Sequence, residues 1–177
     1  MHGMPSAKDL HYFVWATAWG PMGAVAGDKG IRRVVLPHYT RDDLAALLAW
    51  EHPSAVEGRE PFERLIELSR AFLNGERVDF ADVDIDLPSG ESFSGVVYRA
   101  CGAIPYGATR SYSALAKQIG RPDAARAVAT AMSKNPTPLI VPCHRVVYAD
   151  GRAGGFSAEG GEALKRRLLA LEAGAGA

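Results

Sequence analysis

Asn135-Pro136-Thr137-Pro138-Leu139-Ile140-Val141-Pro142-Cys143-His144-Arg145-Val146-Val147 sets a cysteine beside a histidine, after a stiffening proline and before an apolar pair that anchors the exit. A thiol is a useful nucleophile only as the thiolate, and a free cysteine with a pKa of about 8.5 is mostly protonated at neutral pH. A base or a cation must therefore stand close, and His144 and Arg145 are available. On an extended segment neighbouring side chains point to opposite faces, so His144 either reaches the thiol through water or faces elsewhere. A Cys-His pair alone is more often a buried, inert cysteine beside a surface histidine. The surrounding chain has to decide.

Downstream, Ala149 to Gly161 is a glycine-rich loop. It lacks a Walker lysine and a strand-loop-helix dinucleotide fingerprint, so it reads as a mobile wall over a pocket and not as a phosphate cradle. Glu162 to Glu172 follows as a helix with Leu164, Leu168 and Leu171 inward, and with Lys165, Arg166 and Arg167 facing solvent or phosphate. Glu172 is poorly placed for the helix dipole. It is either a solvated carboxylate or the group that orients the histidine.

Upstream, a helix from about Ser92 buries Phe93, Val96, Val97 and Ala100, with Cys101 as a small structural hydrophobe. Ile104-Pro105-Tyr106-Gly107 turns the chain, and Ala108 to Ser111 is extended. Ser113 to Gly120 and Asp123 to Ser133 then predict two short helices joined by a glycine-containing turn, a helix-turn-helix pattern whose second helix normally docks on DNA. That helix carries small residues, Ala124-Ala125-Arg126-Ala127, which let a backbone approach closely. Arg126 projects from it as a phosphate contact, a wedge into a base stack, or a solvated arginine.

The first half has a different character. Leu10 to Ala18, Met22 to Ala26 and Ile31 to Leu36 predict three antiparallel strands, punctuated by Gly20-Pro21 and Gly27-Asp28-Lys29-Gly30. Thr40-Arg41-Asp42-Asp43 is a capping box opening a helix with Leu44, Leu47 and Leu48 on one face. Pro61 starts a second helix, stopped by Asn74-Gly75. Val83, Ile85 and Leu87 alternate with aspartates as a short strand does. His2, His11, His38 and His52 are scattered and form no site. A composition shift around Asp86-Leu87-Pro88-Ser89-Gly90 marks a domain junction.

The 177 residues hold 20 Lys/Arg, 20 Asp/Glu and two cysteines, Cys101 and Cys143, with no Cys-x-x-Cys. This composition points to a reducing cytoplasm and excludes a disulfide framework or a cysteine-rich zinc site. Met1 to Asp9 carries no apolar core of signal-peptide length, and no run approaches a membrane span. Charge is split: residues 1–87 hold 9 basic against 14 acidic side chains, a net of −5, and residues 88–177 hold 11 against 6, a net of +5. The second half can meet phosphate, and the first avoids it.

Taken together, Ile104 to Tyr112, Ala124-Ala125-Arg126-Ala127-Val128, and Asn135-Pro136 through Pro142-Cys143-His144-Arg145-Val146 resemble the O6-alkylguanine-DNA alkyltransferases, in order and spacing, over about residues 88–172. The resemblance implies an α+β fold. A small N-terminal α/β domain over residues 1–87, RNase H-like with a three-stranded antiparallel sheet, would precede a mainly helical winged helix-turn-helix domain over residues 88–177. It also implies that O6-alkylguanine is flipped out of double-stranded DNA and that the alkyl group passes irreversibly to Cys143, once per molecule. By residue-by-residue matching, His144 acts through water as base, Glu172 holds the imidazole, and Asn135 shapes the turn. Tyr112 stabilises the departing guanine, and Arg126 fills the gap it leaves. The backbone at Cys143 and Val146 reads the exocyclic amine, Ser157 and its loop contact the O6 side, and Ala127 and Ser113 lie against DNA.

The expected protein is a monomer, with cooperative clustering on DNA left open, needing no cofactor, metal or membrane. Phe156 stands where many relatives have tyrosine, which bears on pocket shape. Ala129-Thr130 replaces a common glycine, the loop at Ala158 to Gly161 is longer than in some members, and the cysteines of the zinc site found in certain relatives are missing. Three rival readings stand beside it. A binding module without repair conflicts with Cys143, a helix-turn-helix regulator leaves the Pro142-Cys143-His144-Arg145 cluster without a use, and a cysteine hydrolase would turn over.

Overall fold

The period-two alternation of the first strands decides which element covers which face of the sheet. β1 (His11–Thr17), β2 (Gly20–Gly27) and β3 (Gly30–Val35) form an antiparallel meander. Val14, Val25 and Val35 point to one side, where Leu44 and Leu48 of α1 (Arg41–Glu51) meet them. Met22, Ala24, Ala26 and Trp15 point to the other, against Leu65, Ile66, Phe72 and Leu73 of α2 (Glu63–Leu73). Gly23 allows the close approach of α1, since a Cβ there would sit 2.8 Å from a Leu48 methyl. Thr40 caps α1 by accepting from the Asp43 N–H, and a 3-10 turn at Glu60–Phe62 leads into α2. Trp15 donates its indole N–H to Ser69 Oγ at 3.1 Å, a buried bond between β1 and α2.

The computed structural model describes residues 10–88 and 90–174. The leader reading at Met1 to Asp9 and Ser89 of the junction lie outside the described residues. Two sequence expectations need correction. The sheet has four strands, not three, because β4 (Val56–Glu57) pairs in parallel with β1 at His11 and Tyr12. A two-residue strand leaves no alternation to detect. Conversely, Val83 to Leu87 forms no strand: only Ile85 bridges, with the Ile31 N–H donating to Asp84 O and the Asp86 N–H donating to Ile31 O.

The later elements are α3 (Phe93–Gly102), β5 (Arg110–Ser111), α4 (Tyr112–Gln118), α5 (Ala125–Ser133), a 3-10 turn at Cys143–Arg145, β6 (Val146–Val147) and α6 (Gly161–Glu172). α3, α4 and α5 enclose a cluster containing Val97, Cys101, Leu115, Val128 and Met132, and Cys143 and Val146 belong to it. The α2 side of the sheet shares one core with Leu139, Ile140, Ala158, Leu164, Leu168 and Leu171. β3 offers its outer edge to the later chain, where the Val34 N–H donates to Pro136 O at 2.8 Å. Among the described residues no helix is long and apolar enough to cross a membrane.

Phe72, fully buried, lies where these layers meet. Its ring packs on Phe80, edge-on to Tyr106 and edge-on to His144 with centroids 6.1 Å apart. Phe72→Ala is expected to cost about 3–5 kcal/mol of stability, the range for a buried Phe-to-Ala cavity. Urea denaturation measures it, and a loss below about 1 kcal/mol would mean that the surrounding side chains collapse into the space.

Candidate active site around Cys143

The segment before the cysteine is stapled from within. Asn135, 4% exposed, donates its amide to Val141 O at 2.8 Å and accepts the Thr137 N–H at 3.0 Å. Closing that loop holds Leu139 at φ 73, a left-handed conformation costly for a leucine, while its side chain is buried in the shared core. Cys143, His144 and Arg145 then form one 3-10 turn and not an extended strand. The turn sends His144 and Arg145 to one carboxylate, Glu172, and Cys143 to a separate environment beside Ser157.

His144 points into the interior, with no exposed surface, and its Nε2 lies 2.6 Å from Glu172 Oε1. Its Nδ1 is the only buried side-chain nitrogen or oxygen among the described residues with no hydrogen-bond partner. Burial lowers the imidazole pKa, and the Glu172 carboxylate offsets part of that effect, so the neutral ring is favoured. An ionised Glu172 accepts only, which fixes the His144 proton on Nε2 and leaves Nδ1 as an acceptor.

Glu172 is also the partner of Arg145. The guanidinium donates from Nε at 3.0 Å to each carboxylate oxygen and from Nη2 at 2.8 Å, and gives Nη1 to Ile104 O at 2.7 Å. The Gly107 N–H adds a further bond at 2.9 Å. Burial alone would push the Glu172 carboxyl up, but the hydrogen bonds from His144 and Arg145 outweigh it and hold the pKa at about 2. Arg145 is therefore engaged by Glu172 and Ile104, and the thiol has to draw on other groups.

Cys143 is 3% exposed, and its Sγ lies 3.6 Å from Ser157 Oγ. Burial raises the thiol pKa, while the Asn135 and Ser157 side chains and the Lys165 charge lower it. The parallel pairing of Arg110 with Val146 and of Ser111 with Val147 sets the start of α4 beside the cysteine turn. That register brings Tyr112, 7% exposed, into the cluster containing Cys143.

Lys165 overturns a sequence expectation. It is not solvent-facing but fully buried, and its ammonium donates to Val146 O at 2.6 Å, Gly155 O at 3.1 Å and Tyr112 Oη at 3.2 Å. Burial lowers its pKa to about 8 and raises that of Tyr112 to about 12. The available signal was spacing: Lys165, Leu168 and Glu172 occupy one helical stripe, so a helix that turns Glu172 inward turns Lys165 inward as well.

The remaining expected residues divide into two groups. Phe156 packs against both core clusters and Ser157 reaches the thiol, so the glycine-rich loop does border Cys143. Ser113 is half-buried at the start of α4, 3.1 Å from Ser111 Oγ. Arg126 and Ala127 are exposed on α5 and are not brought to the thiol. A cavity of about 840 Å³ is lined by Arg77, Tyr98, Tyr106, Val141 and Pro142 among others, but not by Cys143, Tyr112 or Ser157.

The depressed Glu172 pKa makes folding sensitive to acid. Its contribution is complete above the ordinary carboxylate value of 4.5 and is lost as pH falls towards about 2. Linkage puts it on the order of 3 kcal/mol. Glu172→Gln is expected to remove that acid-labile part and to lower stability at pH 7 by about 3–5 kcal/mol, since Arg145 is left buried without its counter-charge. Urea titrations at pH 3 and pH 7 check both, and an unchanged pH dependence in Glu172→Gln would refute the assignment.

Comparison with known proteins gives the family. Residues 92–174 match the family model for the DNA binding domain of 6-O-methylguanine DNA methyltransferase. A methylated-DNA–protein-cysteine methyltransferase of Mycolicibacterium paratuberculosis is 46% identical over 117 residues, covering 66% of this chain and 68% of the relative. One from Methanosarcina acetivorans is 34% identical, covering 92% of this chain and 98% of the relative. The crystal structure of Mycobacterium tuberculosis OGT in complex with DNA superposes with a TM-score of 0.76 at 32% identity, covering 94% of each chain. The mixed α/β fold is thus shared with OGT, and the chain belongs to the methylated-DNA–protein-cysteine methyltransferase family.

Proposed function

We propose that this protein repairs DNA by direct reversal, taking the alkyl group of O6-alkylguanine onto Cys143 in a single turnover. One observation carries the reading: the Cys143 turn also holds a buried neutral histidine whose Nε2 is locked to Glu172 while Nδ1 is free to accept a proton. Through a bridging water His144 takes the thiol proton. The thiolate sulfur attacks the alkyl carbon, the S–C bond forms, the C–O6 bond breaks, and the electron pair leaves with guanine.

Because the Lys165 ammonium donates to Tyr112 Oη, the phenolic proton is free to donate to the departing purine anion, which takes its own proton from solvent. Val146 O accepts from Lys165 and keeps a second lone pair for the guanine amine. A thioether has no easy reversal, so the acceptor is consumed, and this chemistry needs no cofactor.

The finer architecture belongs to the same proposal. Residues 1–87 form an RNase H-like domain, and residues 88–177 a winged helix-turn-helix domain in which α5 docks on double-stranded DNA. Exposed Arg126 fills the gap left by the flipped base, and Ala127 and Ser113 face the DNA backbone. The protein acts as a cytoplasmic monomer, with cooperative assembly on DNA as the alternative.

Intact-protein mass spectrometry after incubation with a duplex containing O6-methylguanine is expected to show one methyl adduct on Cys143, absent in Cys143→Ala. Repeated turnover, or no adduct on folded protein, would refute the function. Arg126→Ala is expected to slow repair of the duplex by about tenfold, or ~1.4 kcal/mol, while transfer from the free base O6-benzylguanine changes little. Equal losses on both substrates would exclude the flipping role.

A further inference from the structure

The loop that brings Ser157 to the thiol is fastened on its other side to the N-terminal sheet. Ala158 is buried in the core that holds Trp15 and Phe72. Glu159 follows it, with Oε1 3.7 Å from Nη2 of Arg33 on β3. The same carboxylate stands beside Tyr39, whose hydroxyl pKa is raised first by burial and then by the charge and hydrogen bonding of Glu159. Three consecutive residues thus tie the loop to the sulfur, the core and the sheet.

This outer tie is built to release. Arg33 has a second carboxylate at shorter range, Glu51 at the end of α1, with Nε 3.2 Å and Nη2 3.3 Å from its two oxygens. If Glu159 leaves, the guanidinium keeps a partner and no buried charge is stranded. The Arg33 and Glu159 side chains remain 25% and 31% exposed, so the contact biases an equilibrium by a factor of about five at most. Gly160, the N-cap of α6, and Gly161, its first residue, follow at once, both at positive φ (94 and 54), and place the hinge where the tie joins α6.

We propose that Glu159 is a latch that sets the size of alkyl group admitted to Cys143. Closed on Arg33, it holds the Ser157 wall against the sulfur and leaves room for a small alkyl carbon. A bulky O6 substituent enters only after the latch opens. The proposal rests on the reading of Cys143 as alkyl acceptor, and it makes Glu159 a positioning residue that acts on selectivity and not on the chemical step.

The test compares rates of Cys143 adduct formation from free O6-methylguanine and free O6-benzylguanine, which keeps DNA contacts out of the measurement. Glu159→Ala is expected to leave the methyl rate within about twofold and to raise the benzyl rate about three- to fivefold, the factor an exposed ion pair can bias. Arg33→Met should do the same, the double variant should add nothing further, and Arg33→Lys should restore selectivity. Hydrogen exchange over residues 155–160 should rise in Glu159→Ala with little change in Tm. A benzyl-to-methyl ratio unmoved by Glu159→Ala, or additive effects of the two substitutions, would overturn the latch. Wild-type protein with the methylated duplex is the reference: no adduct there removes the acceptor reading itself, whereas an adduct with an unmoved ratio removes only the latch.

Discussion

One buried carboxylate joins the parts of the site. Glu172 ends α6, and it receives the ring N–H of His144, the guanidinium of Arg145 and the backbone N–H of Gly107. These donors come from the cysteine turn and from the turn after α3, segments far apart in sequence. A charge with 8% residual exposure is tolerable only when its lone pairs are filled, so each donor is needed for the others to be cheap. Arg145 balances the charge of Glu172, and burial together with that guanidinium favours the neutral His144 ring. A neutral ring with its proton on Nε2 leaves Nδ1 as an acceptor.

The thiol side of the site follows a second balance. Burial holds the Cys143 proton on, while Ser157, Asn135 and the Lys165 charge favour its removal. Lys165 is itself held down by burial, so it gives up its proton more readily than an ordinary lysine. α6 supplies both opposing groups from one stripe, Lys165 towards Tyr112 and Val146, and Glu172 towards His144 and Arg145. The cysteine sits between a cationic and an anionic anchor of a single helix, so the position of α6 fixes both at once.

What could be read from the sequence follows from what local physics encodes. Strand alternation, the Thr40 cap and the Asn74-Gly75 stop are local signals, and β1 to β3, α1 and α2 appear where those signals place them. β4 depends on what lies across space and leaves no local signal, while the alternation around Ile85 that reads as a strand yields only an isolated bridge to Ile31. In the site, the sequence points to Cys143, His144, Tyr112, Ser157 and Glu172, and the structure brings them into one neighbourhood. Lys165 reads as solvent-facing because an isolated lysine is most stable in water, and its burial is tolerated only through two carbonyls and a phenol contributed by other elements. Arg145 reads as a partner for the thiol because sequence adjacency says nothing about the side-chain direction that a 3-10 turn imposes.

The polar groups that bear on the sulfur, Asn135, Ser157 and Lys165, all belong to the second half of the chain, and the first half braces the segments that carry them. Phe72 of α2 packs edge-on against the His144 ring, covering it on the side of the N-terminal sheet while its Nε2 meets Glu172. The edge of β3 accepts the Asn135 turn through the bond between Val34 and Pro136, opposing any relaxation of the left-handed Leu139. Leu139, Ile140, Ala158 and Leu168 are buried in the same cluster as Trp15 and Phe62, so cysteine turn, pocket loop and final helix are all seated on one apolar face. Packed interiors transmit small displacements instead of absorbing them. A change in the N-terminal layer should therefore be felt at Cys143 as a change in geometry, through the turn and the loop, before it is felt as a change in charge.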